Sequence, residues 1–357
     1  MSRLAHRLGS LSGVGVALAA CAALLVLPAA GRRPSQAPVA VDLAWPQAKR
    51  AAITADLPDG TAYQPGLFLD ANTSVGSAPT RDGKSVRLVL VRSGGPVQEI
   101  QRLPQRRYPS FSAFTAAGDV LVWVERTNPG PSQVWTASLR HGRPRMLAGN
   151  AGDIQFDDSE DDLVIAAGRA YWVVTGAAGV TDVRSVALTG GAVADRAEPG
   201  DWKLSSWPWL VDGVTETAGA TRLRNLITGR DEPVAPASHG TVRCSPAWCR
   251  VARLESGGTF VNLMRPDGSH REPIGDATMT AVLTDPAPLG RFEILGKIDA
   301  NTALTNHVQL IAYEIATRRL VLISPDAFDM HYRAGVLWWS TGNNDSFIRH
   351  ALDLRTV

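Results

Sequence analysis

Gly118-Asp119-Val120-Leu121-Val122-Trp123 reads as a tight turn that hands over to a short apolar strand. The same arrangement recurs at Gly168-Arg169-Ala170-Tyr171-Trp172-Val173-Val174 and at Ala334-Gly335-Val336-Leu337-Trp338-Trp339. About seven such strand–turn–strand units can be traced, each built around a tryptophan or a comparable apolar anchor. Repeats of roughly 40 to 50 residues with several strands per copy are the pattern of a β-propeller.

Working outward, the third strand of each unit is expected at 85–92, 133–139, 183–188, 221–226, 259–264, 307–314 and 346–352. Apolar and polar residues alternate within them, as in Val86, Leu88 and Leu90, which is the period of half-buried strands. Most are followed by a glycine-bearing turn, such as His141-Gly142, Thr228-Gly229 or Pro266-Asp267-Gly268. Such residues supply the backbone geometry that hairpins demand. A shorter fourth strand follows at 144–147, 232–234, 272–274 and 319–323. The last unit ends before a fourth strand can form, while Lys49-Arg50-Ala51-Ala52-Ile53 precedes the first unit as an orphan strand. An open ring leaves strand edges unpaired, so residues near 50–55 are expected to complete the last blade. The fold expected is therefore all-β: a propeller of seven blades, or six if the irregular first unit (61–103) supplies no full one. Sustained i, i+3, i+4 apolar periodicity is absent from the body of the chain.

The amino terminus has a different character. Residues 1–10 form a short basic segment, 11–31 an uncharged apolar run, 32–44 a linker, and 45–357 the propeller domain. About 20 apolar residues suffice to cross a bilayer as a helix, and an uncleaved transmembrane signal-anchor is the reading adopted. Two alternatives stay open: a secretory signal removed after Ala30, and lipidation at Cys21, since Leu18-Ala19-Ala20-Cys21 has the form of a lipobox. Each places the body outside the cytoplasm or attached to a membrane facing out, and the location expected is the cell membrane, single-pass or lipid-anchored.

The formal charge of +2 excludes a bulk electrostatic attraction to nucleic acid. Only four of the 36 basic residues are lysine (Lys49, Lys84, Lys203 and Lys297), a bias of genome composition rather than a binding signature. No His-Glu-x-x-His, phosphate-binding glycine loop or Gly-x-Ser-x-Gly elbow occurs, and the seven histidines are scattered. No catalytic residue, cofactor or metal ligand is therefore assigned.

Three features remain. Cys244 and Cys249 flank Ser245-Pro246-Ala247-Trp248 and would face each other across the base of a hairpin. A disulfide suits an oxidising compartment, with Trp248 expected to cover the sulfurs; a pair of reduced thiols is the alternative. Asp157, Asp158, Glu160, Asp161 and Asp162 form the sharpest charge run, in a connection on the face where propellers bind ligands. It is expected to be a solvated acidic loop, since it lacks the spacing and bend glycine of a helix-loop calcium site. Trp202, Trp207 and Trp209 cluster around Pro208 and are expected to pack between blades rather than stack on carbohydrate.

Turns such as Ser245-Pro246 and Pro266-Asp267-Gly268 leading into apolar strands resemble the TolB-like propellers of bacterial envelopes. The resemblance extends over 45–357, although most units lack a full Ser-Pro-Asp-Gly and TolB itself has six blades. It implies an extracytoplasmic, non-catalytic platform that binds a protein or cell-envelope component. Two other functions compete: an envelope carbohydrate-active enzyme (hydrolase or lyase) and a sensory ectodomain. Carboxylates converging on the mouth of the central channel would favour the enzyme.

Overall fold

The computed structural model describes residues 37–214, 217–237, 240–343 and 346–357. The expectations for residues 1–36, including the anchor and Cys21, lie outside the described residues. Among those described, no helix is long and apolar enough to cross a membrane. Residues 38–357 fold as one unit.

The chain forms a succession of antiparallel four-stranded sheets in sequence order. Their outermost bounds are Gln64–Asp70 to Gln98–Pro104, Ser110–Ala117 to Arg145–Ala148, Val164–Ala166 to Ala194–Pro199, Trp202–Leu204 to Asp231–Pro233, and Thr241–Cys244 to Glu272–Ile274. A sixth, eight-stranded sheet follows. Its strands divide into two groups around the 15-residue strand Arg319–Arg333. The first part of that strand pairs with Val308–Glu314 as far as Ala327, and the second pairs with Val336–Asn343 from Phe328 onward. All seven expected third strands are present, shifted by no more than a few residues. The irregular first unit supplies a full four-stranded sheet.

Turn chemistry explains where the strands begin. Ala334 and Gly335 both have positive φ, 52° and 85°, between the paired residues Arg333 and Val336. That is the two-residue turn whose twist matches a hairpin.

Each sheet buries both faces against its neighbours. Leu88, Phe114 and Trp123 join the first sheet to the second, and Val122, Leu163 and Trp172 join the second to the third. Val183, Trp202 and Leu210 continue the series, followed by Leu223, Val251 and Met264, then by Leu263, Leu295 and Ile311. Phe292, Val321, Leu337 and Leu352 join the two halves of the last sheet. Phe68 of the first sheet meets Val336, Trp338 and Ala351 of the last, with the Phe68 and Trp338 rings 5.2 Å apart. The succession of cores therefore returns to its start, and the architecture is a closed, multi-bladed β-propeller. Full burial of a large apolar side chain contributes roughly 1.5–3 kcal/mol, so these clusters dominate the stability.

The ends interlock as expected. Arg50–Thr54 pairs antiparallel with the final strand, Arg50 opposite Leu352 and Thr54 opposite Ile348. A second clasp has no signal in the sequence pattern: Val39 and Ala40 lie parallel to Val321 and Leu322. Between the two clasps Trp45 is buried edge-on against Phe292, with ring centroids 5.4 Å apart.

Candidate functional site

The acidic run folds as a short 3-10 turn, Glu160–Asp162, capped by Ser159. The Asp161 amide donates to Ser159 Oγ at 3.0 Å, and the Asp162 carboxylate accepts from the amides of Asp157 and Ser159 at 3.1 and 3.3 Å. This reciprocal capping box satisfies the free amides of the turn.

The turn is bolted to distant parts of the ring. Ser159 Oγ and the Glu160 amide donate to the two oxygens of Asp285 at 2.7 and 2.8 Å. Glu160 Oε2 accepts from the Ala334 amide at 2.9 Å. Asp285 belongs to the loop between the first two strands of the last sheet, Met279–Ala281 and Phe292–Lys297, and that loop is fixed in turn by a buried ion pair, Arg250 to Glu293 at 2.6 Å. The Arg250 guanidinium also donates to the carbonyls of Leu283 and Thr284, both at 2.8 Å. Glu293 Oε2 accepts from the Ala287 amide at 2.8 Å.

The expectation of a solvated acidic loop is therefore corrected. Asp162 is buried, Glu160 and Asp161 are half-buried, and only Asp158 stands exposed. Low dielectric disfavours the charged form of a carboxyl. Burial, reinforced by the Asp285 charge, pushes Glu160 up to about 7. Burial likewise raises Asp162 to about 6, Asp161 well above the ordinary carboxylate range, and Asp285 in the same direction. Arg333 and Arg250 offset part of this with positive charge.

Two cavities meet this cluster. One, of about 310 Å³, is lined by Glu160, Asp161, Lys203, Ser205, Pro246 and Leu289 among others. The other, of about 220 Å³, is lined by Gly66, Phe114, Asp158, Met330, Arg333 and Trp338 among others. Thr284, Asp285 and Tyr332 line both, so the carboxylate cluster stands between them as a plug. A larger, more open groove of about 950 Å³ runs between the first and last sheets, away from these carboxylates. Asp157 pairs with Arg243 at 2.9 Å. Among the described residues, no group of three or more His, Cys, Asp or Glu side chains could hold a metal ion.

Cys244 and Cys249 are bonded, as direct partners across the hairpin, with Cα atoms 4.1 Å apart. The bond pins the loop Ser245-Pro246-Ala247, which forms one lip of the 310 Å³ cavity. Trp248 does not cover the sulfurs. It packs with Leu263, Met279 and Leu295 on the other side of its sheet, and its Nε1 donates to the Gly290 carbonyl at 3.2 Å. Trp202 is fully buried, as expected, whereas Trp207 is half-buried and packs at a tilt against Tyr171, with ring centroids 3.9 Å apart. Sequence reasoning missed Asp285, Arg250, Glu293, Arg333 and Lys203; none belongs to a local motif, and only the fold brings them to the plug.

No family model matches the chain, and no curated protein matches it. Solved structures resemble it at the level of the propeller. TolB from Acinetobacter baumannii is 8% identical over 79% of this chain and 63% of that one, with a TM-score of 0.42. This chain thus spans less than two thirds of that TolB. The β-propeller domain of the Trilobed protease from Pyrococcus furiosus is 10% identical over 67% of this chain and 81% of that one, with a TM-score of 0.45. A puromycin-hydrolyzing peptidase of Mycobacterium tuberculosis is 12% identical over 89% and 54%, with a TM-score of 0.48.

Proposed function

We propose that this chain is a membrane-anchored, outward-facing propeller of seven blades that binds a protein or envelope component at the 310 Å³ mouth without chemical turnover. The count of seven takes the two halves of the eight-stranded sheet as separate blades. The observation that carries the binding reading is how the converging carboxylates are used. Asp285, Glu160 and Asp162 accept hydrogen bonds from backbone amides and a serine that hold the plug together. A catalytic carboxyl must instead be free to exchange a proton with its substrate. The loop held by the disulfide gives the mouth a rigid lip, which lowers the ordering cost of association.

The enzyme reading keeps one specific support: Glu160, raised to about 7 on a cavity wall, has the protonation state of a general acid. One experiment separates the two. The full chain is solubilised, mixed with envelope extract and compared with Ala247→Trp, which fills the mouth from an exposed lip position. A partner retained by the wild type and lost by the variant is the expected result. Turnover of an envelope glycan that disappears in Glu160→Gln would replace the platform with the enzyme.

A further inference from the structure

Almost every ionisable side chain on the wall of the 310 Å³ cavity is engaged within the protein. Asp285 accepts from Ser159 and Glu160, Glu160 from Ala334, Asp162 from Asp157 and Ser159, and Asp157 is paired with Arg243. Asp161 and Lys203 are different. Asp161 uses its amide on Ser159 Oγ, but its carboxyl accepts no hydrogen bond among the described residues. The Lys203 ammonium, one of four in the chain, likewise has no partner among them. The two belong to neighbouring elements, since the strand Trp202–Leu204 packs beside the turn Glu160–Asp162. They nevertheless form no ion pair with each other, and both line the same cavity.

An unpaired ammonium shares this wall with a carboxyl that burial keeps largely protonated and that an arriving cation would ionise, and the two together specify a ligand of complementary ends. A monovalent cation would answer Asp161 and leave Lys203 against a like charge; a simple anion would do the reverse. A molecule with an ammonium at one end and a carboxylate at the other answers both, and each contact gains strength away from bulk water. The same wall also carries Pro246, Ala247, Pro288 and Leu289, which suit a short aliphatic body. The volume lies at the lower end of the range for small-molecule sites.

We propose that the mouth binds a small zwitterion of amino-acid to dipeptide size, its ammonium against Asp161 and its carboxylate against Lys203. The proposal deepens the binding reading above and rests on it.

Calorimetric titration of the solubilised full chain with alanyl-alanine tests it, alongside N-acetyl-alanyl-alanine, alanyl-alanine amide and free alanine. The expected result is saturable binding of the zwitterionic dipeptide or of alanine, with each capped dipeptide about tenfold weaker than alanyl-alanine. Asp161→Asn should abolish discrimination against the acetyl cap, and Lys203→Met discrimination against the amide cap. Equal affinity for all three dipeptides overturns the proposal, as does no saturable binding of alanyl-alanine or alanine up to about 10 mM. The capped ligands decide the matter on the wild-type protein, whatever the variants do to folding. Partner capture that survives in the absence of zwitterion binding removes the zwitterion alone; zwitterion binding with no partner captured removes the platform reading alone.

Discussion

Glu160 accepts a hydrogen bond from the backbone amide of Ala334, 174 residues further along the chain. The contact joins the connection between the second and third sheets to the hairpin turn between Arg319–Arg333 and Val336–Asn343 in the last sheet. A side chain in an apparently ordinary acidic loop is thereby made part of the closure of the fold.

The first prediction concerns pH. Glu160 and Asp162 have folded-state values of about 7 and about 6, raised above their ordinary 4.5 and 3.8. The folded protein therefore holds these protons more tightly than the unfolded chain does. Their contribution is fully present below about pH 4 and is lost as pH rises towards 7. The melting temperature should fall between pH 5 and 8, by an amount on the order of 1–3 kcal/mol in stability. Glu160→Gln keeps an acceptor for Ala334 and removes the titration, so its melting temperature should depend less on pH. Parallel slopes for the two proteins would show that Glu160 is not a source of the dependence.

The second prediction concerns the clasp. Trp45 is 5% exposed and fills the core between the two halves of the last sheet. Trp45→Ala should cost about 3–5 kcal/mol and lower the melting temperature by roughly 10 °C. Deleting residues 45–57 removes the strand Arg50–Thr54 as well and should destabilise the ring further. Differential scanning calorimetry measures both, and an unchanged transition would contradict the closure.

The third prediction concerns Arg250 and Glu293, a pair whose side chains are 6% and 1% exposed. Removing one partner leaves a buried charge unpaired, so Arg250→Met should cost about 3–5 kcal/mol. Adding Glu293→Leu should restore part of that loss. A double variant less stable than the single one, in urea denaturation, would assign the effect to packing alone.

The fourth concerns the disulfide. So short a loop gains little chain entropy, so replacing both cysteines with alanine should cost about 2 kcal/mol. Mass mapping without reductant should recover Cys244 linked to Cys249, and free thiols at both positions would argue against an oxidising compartment.

The fold was legible where local chemistry and period-2 alternation agreed. Val86, Leu88 and Leu90 marked their strand correctly, and Lys49 to Ile53 could be recognised as the missing partner of the final strand. The continuity of Arg319–Arg333 was hidden because Ser324-Pro325-Asp326 reads as a turn. Proline cannot donate to a ladder and is tolerated at irregularities. Here it falls near the point where the strand changes partners. The plug was illegible for another reason. Asp157 to Asp162 has the composition of a solvated loop, and its burial depends on Asp285 and Ala334, more than 120 residues away. Nothing within the run signals those partners.

The shared strand has a mechanical consequence. Its first part carries Val39 and Ala40 alongside, and its second part opens the sheet that Arg50–Thr54 completes. Traction applied at residue 38 is therefore borne first by the outermost rungs of one double-width sheet. The five narrower sheets are shielded from that load until both clasps have given way.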